Sequence, residues 1–357
     1  MASAEAEVAR ESIAVRKLRE RNQARNEHLQ GLGERPTRLV CIGGGTGLPV
    51  VLKGLARSAT PGPDNPGVDL TAVVAMSDDG GSSGRLRRLR GGLPPGDVRN
   101  CLVALAGRKT VLRRLFQYRF DGGRGIGGHA VGNLLLAALA ELRGDFLEAI
   151  EVSERMLDAR GKVLPCTLAQ TQLVAELEDS SRIVGERNIS RARCRVRRVS
   201  LAPQLPPPSA GVIDALREAD LVTIGPGSLY SSVLPNLLVD GVAQALSETR
   251  ALKVLVANLM TQPGETDGMD CVDHTRAVIE HVGPLVDVVL INARAASREL
   301  IARYAEKGQH PVSVDRRALI ELGVIPVEAD LLKQGDRIRH DSRKVARCLL
   351  KLARSGL

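Results

Sequence analysis

Two adjacent carboxylates, Asp78 and Asp79, stand in the run Ser77-Asp78-Asp79-Gly80-Gly81-Ser82-Ser83-Gly84-Arg85, directly after an apolar stretch ending at Met76. Paired carboxylates at a strand end can hold a hydrated Mg²⁺ or orient a hydroxyl. The neighbouring glycines and serines offer N–H and O–H groups to a phosphate. A solvated Asp-Gly turn is the competing reading. A third carboxylate, Asp97, follows in Leu93-Pro94-Pro95-Gly96-Asp97-Val98-Arg99-Asn100. It either caps a helix opening at Val98 or joins Asp78 and Asp79 around a metal or substrate.

Glycine turns are the second chemical signal. Gly43-Gly44-Gly45-Thr46-Gly47 separates the apolar runs Leu39–Ile42 and Leu48–Leu55, which reads as strand, tight turn and helix start. Without Cβ atoms such a turn can wrap its N–H groups around an anion, and the new helix adds its positive end. Tight strand–helix packing is the alternative use of the same glycines. No Gly-Lys-Ser/Thr follows, and the spacing is not that of the dinucleotide fingerprint. Gly225-Pro226-Gly227-Ser228 follows the run ending at Ile224, and Asn258 to Gly268 follows the next one. Gly127-Gly128-His129-Ala130-Val131-Gly132-Asn133 opens an apolar helix, with Asn133 in its first turn. Several such turns point to one wide cleft for a nucleotide sugar or dinucleotide.

These residues need a frame that gathers them. Strand-like runs are Arg38–Ile42, Leu70–Met76, Leu221–Ile224, Lys253–Asn258 and Val286–Asn292, with helical stretches Ala130–Leu142, Gly211–Glu218 and Asp273–Val282. Short apolar strands alternating with helices predict an α/β fold with a Rossmann-like, doubly wound, mostly parallel sheet. Ligands of such sheets lie beyond the carboxyl ends of the strands. Residues 163 to 208 break the rhythm with Val163–Pro165, Thr171–Leu177, Ser181–Val184 and Arg193–Leu201, read as a small β-rich insertion closed by Pro203–Pro208. Residues 1–36 read as a charged helical extension (Ala4 to Leu32), and 37–357 as the main domain.

Composition excludes several classes. Aromatic residues make up 2% and Trp is absent, which argues against modules that stack nucleic-acid bases. Six scattered cysteines without a CxxC pair argue against zinc and disulfide frameworks and for a reducing cytoplasm. No run reaches membrane-spanning length. The net charge of +9 is concentrated: seven arginines against Glu186 in residues 182–198, and eight basic residues against two acidic ones in Lys333–Arg354. Arg191, Arg193, Arg195 and Arg197 alternate with Ala192, Cys194 and Val196, the period of a half-buried strand. A solvated basic face is the first reading, and a polyphosphate groove or nucleic-acid patch the sharper ones.

The ordered motifs from Gly43 to Gly268, quoted above together with Gly225-Pro226-Gly227-Ser228-Leu229-Tyr230, resemble the YvcK family of gluconeogenesis factors. That family lies within the CofD-like superfamily, named for 2-phospho-L-lactate transferase. The resemblance runs from about Arg38 to the C-terminus. It implies a cytoplasmic bacterial protein that binds UDP-sugars such as UDP-N-acetylglucosamine, with NAD-like dinucleotides able to occupy the same cleft. It also implies a link to gluconeogenic growth, cell shape and peptidoglycan supply. The segments Arg303-Tyr304 and Arg339-His340-Asp341 resemble the family's UDP-sugar contacts, which carries Tyr304 and Arg339 over. The transferase relatives use Mg²⁺, and their acidic motif aligns with Asp78, Asp79 and Asp97.

Two expectations follow. The first is a regulator that binds a nucleotide sugar and needs no obligatory cofactor. Its diphosphate lies on Gly43, Gly44, Gly45, Thr46, Gly47, Gly225, Gly227 and Ser228, its sugar or ribose on Asn133, Asn258 and Thr261, and its base against Tyr304. A regulatory protein partner and a homodimer are compatible with it. The second is a Mg²⁺-dependent transferase using Asp78, Asp79 and Asp97. A nucleic-acid binder acting through the arginines is a third class, with a steep salt dependence as its signature.

Overall fold

The structure, a computed structural model, describes residues 35–61, 67–90, 92–107, 111–122, 126–192 and 194–355. The expected N-terminal helix and Arg193 lie outside them. The described strands are β1 (Thr37–Gly43), β2 (Val68–Val74), β3 (Lys162–Pro165), β4 (Gln172–Leu177), β5 (Arg182–Val184), β6 (Val196–Ala202), β7 (Leu221–Ile224), β8 (Leu252–Val256), β9 (Val288–Asn292) and β10 (Ile325–Ala329). Seven form one parallel sheet in the order β10-β9-β8-β7-β1-β2-β3. The α/β, doubly wound expectation holds.

The apolar runs explain the sheet. Both faces of a parallel sheet are covered by helices, so its central strands are continuously apolar. In β1, Leu39 and Cys41 enter one core with the helices Gly47–Leu55, Gly96–Leu105 and Ser342–Ser355. Val40 and Ile42 enter the other, with the helices Val212–Glu218, Val242–Glu248 and Cys271–Val282. The chain leaves β1 towards β2 on one side, while β7 returns to its other side. The strand order therefore reverses between β1 and β7, and the crevice at such a switch point is where open α/β sheets bind ligands.

The insertion differs from its expected boundaries. Val163–Pro165 does not open it: these residues belong to β3, which pairs in parallel with β2 at the edge of the main sheet. Antiparallel β4, β5 and β6, in the order β5-β4-β6, make up the small sheet. Its apolar face (Leu173, Ala175, Leu177, Val196, Val199 and Leu201) is buried in the second core rather than in a core of its own. The expected arginine-alternating strand is likewise corrected. Gly185, at φ +94°, leads into the short helix Glu186–Ile189, Arg191 lies in the turn after it, and β6 begins only at Val196. Arg195 and Arg197 face Glu178 and Glu176, at 3.6 and 3.3 Å.

Candidate functional site

The loops after β1, β7 and β8 wall a cleft of about 570 Å³ at the carboxyl edge of the sheet. The first wall is Gly45, Thr46 and Gly47, where the helix Gly47–Leu55 begins. Gly45 has φ +60°, and a Cβ on Gly47 would run into the Pro226 carbonyl. Both glycines are therefore required by geometry: one by its backbone conformation, the other by the approach of the β7 turn. Thr46 lies exposed in this wall, and the N–H groups of the first helical turn have no intrahelical acceptors. Gly43 and Gly44 sit beneath. Gly43 ends β1 and accepts the Asn236 amide at 3.0 Å, while Gly44 leaves room for Asp97, whose Oδ2 would lie 2.8 Å from a Cβ there.

The second wall is Pro226-Gly227-Ser228; Gly225, expected to touch the ligand, is buried at φ +75° and does not line the cleft, so it serves only to shape the turn. Asn258, just beyond β8, clamps it from both sides: the Gly227 N–H donates to Asn258 Oδ1 at 3.2 Å, and Asn258 Nδ2 donates to the Gly227 carbonyl at 2.8 Å. The Ser228 hydroxyl donates to Glu265. Glu265 also lies 3.3 Å from the hydroxyls of Ser190 and Ser231, so this buried carboxylate ties the insertion to the loops after β7 and β8. Thr261 lines the cleft, but its N–H and hydroxyl oxygen are both engaged with His310, at 2.7 and 2.9 Å.

The third wall comes from the far side of the sheet. Tyr304, in the helix Arg298–Ala305, accepts the Ile338 N–H at 3.2 Å, which fixes its ring beside Arg339. Arg339 is the one Arg or Lys in the cleft wall among the described residues, and it forms no ion pair with any of them. Beside it, the His340 Nε2 is buried without a partner, and burial holds the imidazole neutral by pulling its pKa down to about 4. Gln262 Oε1 is a second orphaned acceptor in the same wall.

The acidic residues lie under and beside the glycine loop. Asp97 does not cap its own helix, which begins at Gly96 with Pro95 as its N-cap. Its carboxylate instead accepts the Gly45 N–H at 2.6 Å. Burial, opposed by that bond and helped by Asp78, pushes its pKa up to about 6. Asp78 accepts the Gly80 N–H at 2.8 Å, and Asp79 accepts the Arg187 N–H at 3.1 Å, fastening the insertion to the loop after β2. Glu186 faces the same cleft, and its pKa rises to about 8 through burial first, then through Asp78, Asp97, Glu265 and Asp79.

The family model described as 2-phospho-L-lactate transferase CofD matches residues 39–332. The chain belongs to the CofD family. Within it, the chain is 44% identical to a protein of Halalkalibacterium halodurans named gluconeogenesis factor, over 88% of this chain and 95% of that one. It is 41% identical to the gluconeogenesis factor of Bacillus subtilis, over 90% of this chain and 99% of that one. A crystal structure of a Bacillus halodurans protein superposes with a TM-score of 0.84 at 43% identity, covering 88% of this chain and 100% of that chain.

This CofD-family chain thus brings Gly45, Thr46, Gly47, Gly227, Ser228, Asn258, Thr261, Tyr304 and Arg339 to one cleft. Asn133 is not among the residues lining it. It is 1% exposed and donates at 3.0 Å to Ser82, whose hydroxyl is 2.9 Å from His129 Nδ1. Glu186, Gln262, Glu265 and His340 are additional members. Glu186 is masked in the sequence by the arginines around it, and the others stood inside quoted motifs as residues of ordinary type.

Proposed function

We propose that the chain binds a nucleoside-diphosphate sugar of the UDP-N-acetylglucosamine type and acts as a cytoplasmic regulator of carbon metabolism, working through a protein partner. The observation that carries this reading is the unpaired Arg339 beside Tyr304, across the cleft from the glycine loop and its helix N-terminus. A guanidinium and the first-turn N–H groups of Gly47 and Leu48 are the complementary halves of a diphosphate site, the Gly45 N–H being taken by Asp97 and Pro49 having none. The cleft volume lies within the ordinary range for small ligands. His340 Nε2 and Gln262 Oε1 are acceptors in want of donors, as the hydroxyl and amide groups of an amino sugar are. Asn258 and Thr261 serve by holding the turns in place rather than by offering free groups. The gluconeogenesis-factor name of the relatives supports the link to carbon metabolism.

Titration calorimetry with UDP-N-acetylglucosamine, UDP and NAD tests the proposal. Binding of the UDP-sugar that vanishes in Arg339→Ala, with no product formed on long incubation, supports it. Undiminished binding in that variant refutes it.

A second reading, a Mg²⁺-dependent transferase, is favoured by the gathering of Asp78, Asp97, Glu265 and Asp79 around Glu186. Their charges add to burial in raising its pKa, and a divalent cation would relieve that repulsion. Among the described residues no three His, Cys, Asp or Glu side chains form a metal cage. Mg²⁺ is ordinarily held by one or two carboxylates together with ligand phosphates, and Asp78 and Asp97 fit that smaller role. The ion would supply charge neutralisation at the diphosphate. With a pKa of about 8, Glu186 is mostly protonated at neutral pH and can donate a hydrogen bond into the cleft. Loss of both product and Mg²⁺-dependent binding in Asp97→Asn would favour this reading.

A further inference from the structure

At the opposite edge of the main sheet, Lys53, Arg57, Arg113, Arg114 and Arg160 line a concavity of about 500 Å³, with no carboxylate among the described residues that line it. They converge from separate elements. Lys53 and Arg57 come from the end of the helix Gly47–Leu55, Arg113 and Arg114 from the helix Val111–Gln117, and Arg160 from the loop into β3. Among the described residues, Arg57, Arg114 and Arg160 have no acidic partner. A second concavity of about 480 Å³ adjoins through Arg57 and adds Arg343, Arg347, Lys351 and Arg354, one face of the helix Ser342–Ser355.

The helix Gly47–Leu55 sets this arrangement. A Cβ on Gly54 would run into the Ser342 carbonyl, so the two helices lie in close contact and bring Arg57 beside Arg343 and Arg347. Four helix C-termini, those ending at Leu55, Leu105, Gln117 and Ser355, also lie here, each carrying about half a negative charge. Together they offset roughly two of the positive charges, and the bowl stays cationic. Its size is that of a small-molecule site. Among the described residues no aromatic side chain lines either concavity, so these walls offer a single strand no surface for base stacking.

We propose that this bowl is a second ligand site, for a multiply phosphorylated small molecule whose phosphates are received by Arg57, Arg114 and Arg160. It lies at the opposite edge of the sheet from Arg339, and it shares no lining residue with the cleft.

The test is titration calorimetry of the full chain with inorganic tripolyphosphate and with ATP at two salt concentrations. Tripolyphosphate should bind, more weakly at the higher salt. Arg57→Gln, Arg114→Gln and Arg160→Gln should each weaken it by about tenfold, the usual effect of losing one charge-assisted contact. Arg339→Ala should leave it intact. Tighter binding of ATP would identify a nucleoside polyphosphate as the ligand, and equal or weaker binding an inorganic oligophosphate. The single variants keep the test readable if a triple variant fails to fold. The proposal is overturned if tripolyphosphate does not bind at millimolar concentration, or if its binding is lost in Arg339→Ala and kept in the three glutamine variants. It is also overturned if a single-stranded DNA binds more tightly through the same three arginines. Failure of UDP-sugar binding alone leaves these outcomes unchanged, so the two sites are judged separately.

Discussion

Arg339 has no described carboxylate to hold it, so replacing it removes affinity without removing support. Arg339→Ala should leave the melting temperature of the free protein within about a degree, as surface substitutions do, and abolish the thermal shift caused by a UDP-sugar. Differential scanning fluorimetry reads both. Glu186 behaves in the opposite sense. Its carboxyl rises from the ordinary 4.5 to about 8 in the folded chain, so folding takes up a proton between those values. Stability from this group is complete below about pH 4.5, falls as pH rises, and levels off above about 8. Glu186→Gln keeps the neutral form throughout, so urea denaturation between pH 5 and 9 should show a flatter profile than the parent. Asp97, with a pKa near 6, leaves a smaller decline at the acid end. None of this was legible at Glu186 from sequence, because its shift comes first from burial in the folded chain, and then from Asp78, Asp97 and Asp79, about a hundred residues earlier, and from Glu265.

The turns and their supports decide whether the cleft exists at all. Gly47→Ala would place a methyl group against the Pro226 carbonyl, at a cost of about 1–3 kcal/mol typical of overpacking; urea denaturation measures it. Asn258→Ala removes both hydrogen bonds from the Gly227 peptide, and should raise amide exchange at Gly227 and Ser228 while the sheet stays protected. Hydrogen-exchange mass spectrometry resolves the two. At this scale the sequence was most readable where one residue type has one use. Apolar runs ended by glycine gave β1 and β7, and the turns after them were read as a ligand edge. It was least readable where partners lie far apart in the chain. Val163 sits beside Ala72 in the main sheet, which no local pattern announces. Asn133 looked free on a helix start, but Ser82, fifty-one positions earlier, claims its amide.

Across the whole molecule the two edges of the sheet carry opposite chemistry: acidic groups and glycine N–H donors around the cleft, and a concentration of arginine where the strands begin. The net charge of +9 is therefore not a diffuse property but largely the sum of local deposits, some of them matched by Glu176 and Glu178 on the small sheet. The two ends also share a component. The helix that starts in the glycine loop and finishes at Lys53 and Arg57 has nine residues, about 13 Å at 1.5 Å per residue. A rigid rod of that length, gripped at both tips, cannot tilt at one without tilting at the other. Occupancy at either tip should then alter affinity at the other by the same factor, as thermodynamic reciprocity demands. Titrating the UDP-sugar with and without saturating tripolyphosphate, and then the reverse, measures that factor twice, and the two values must agree.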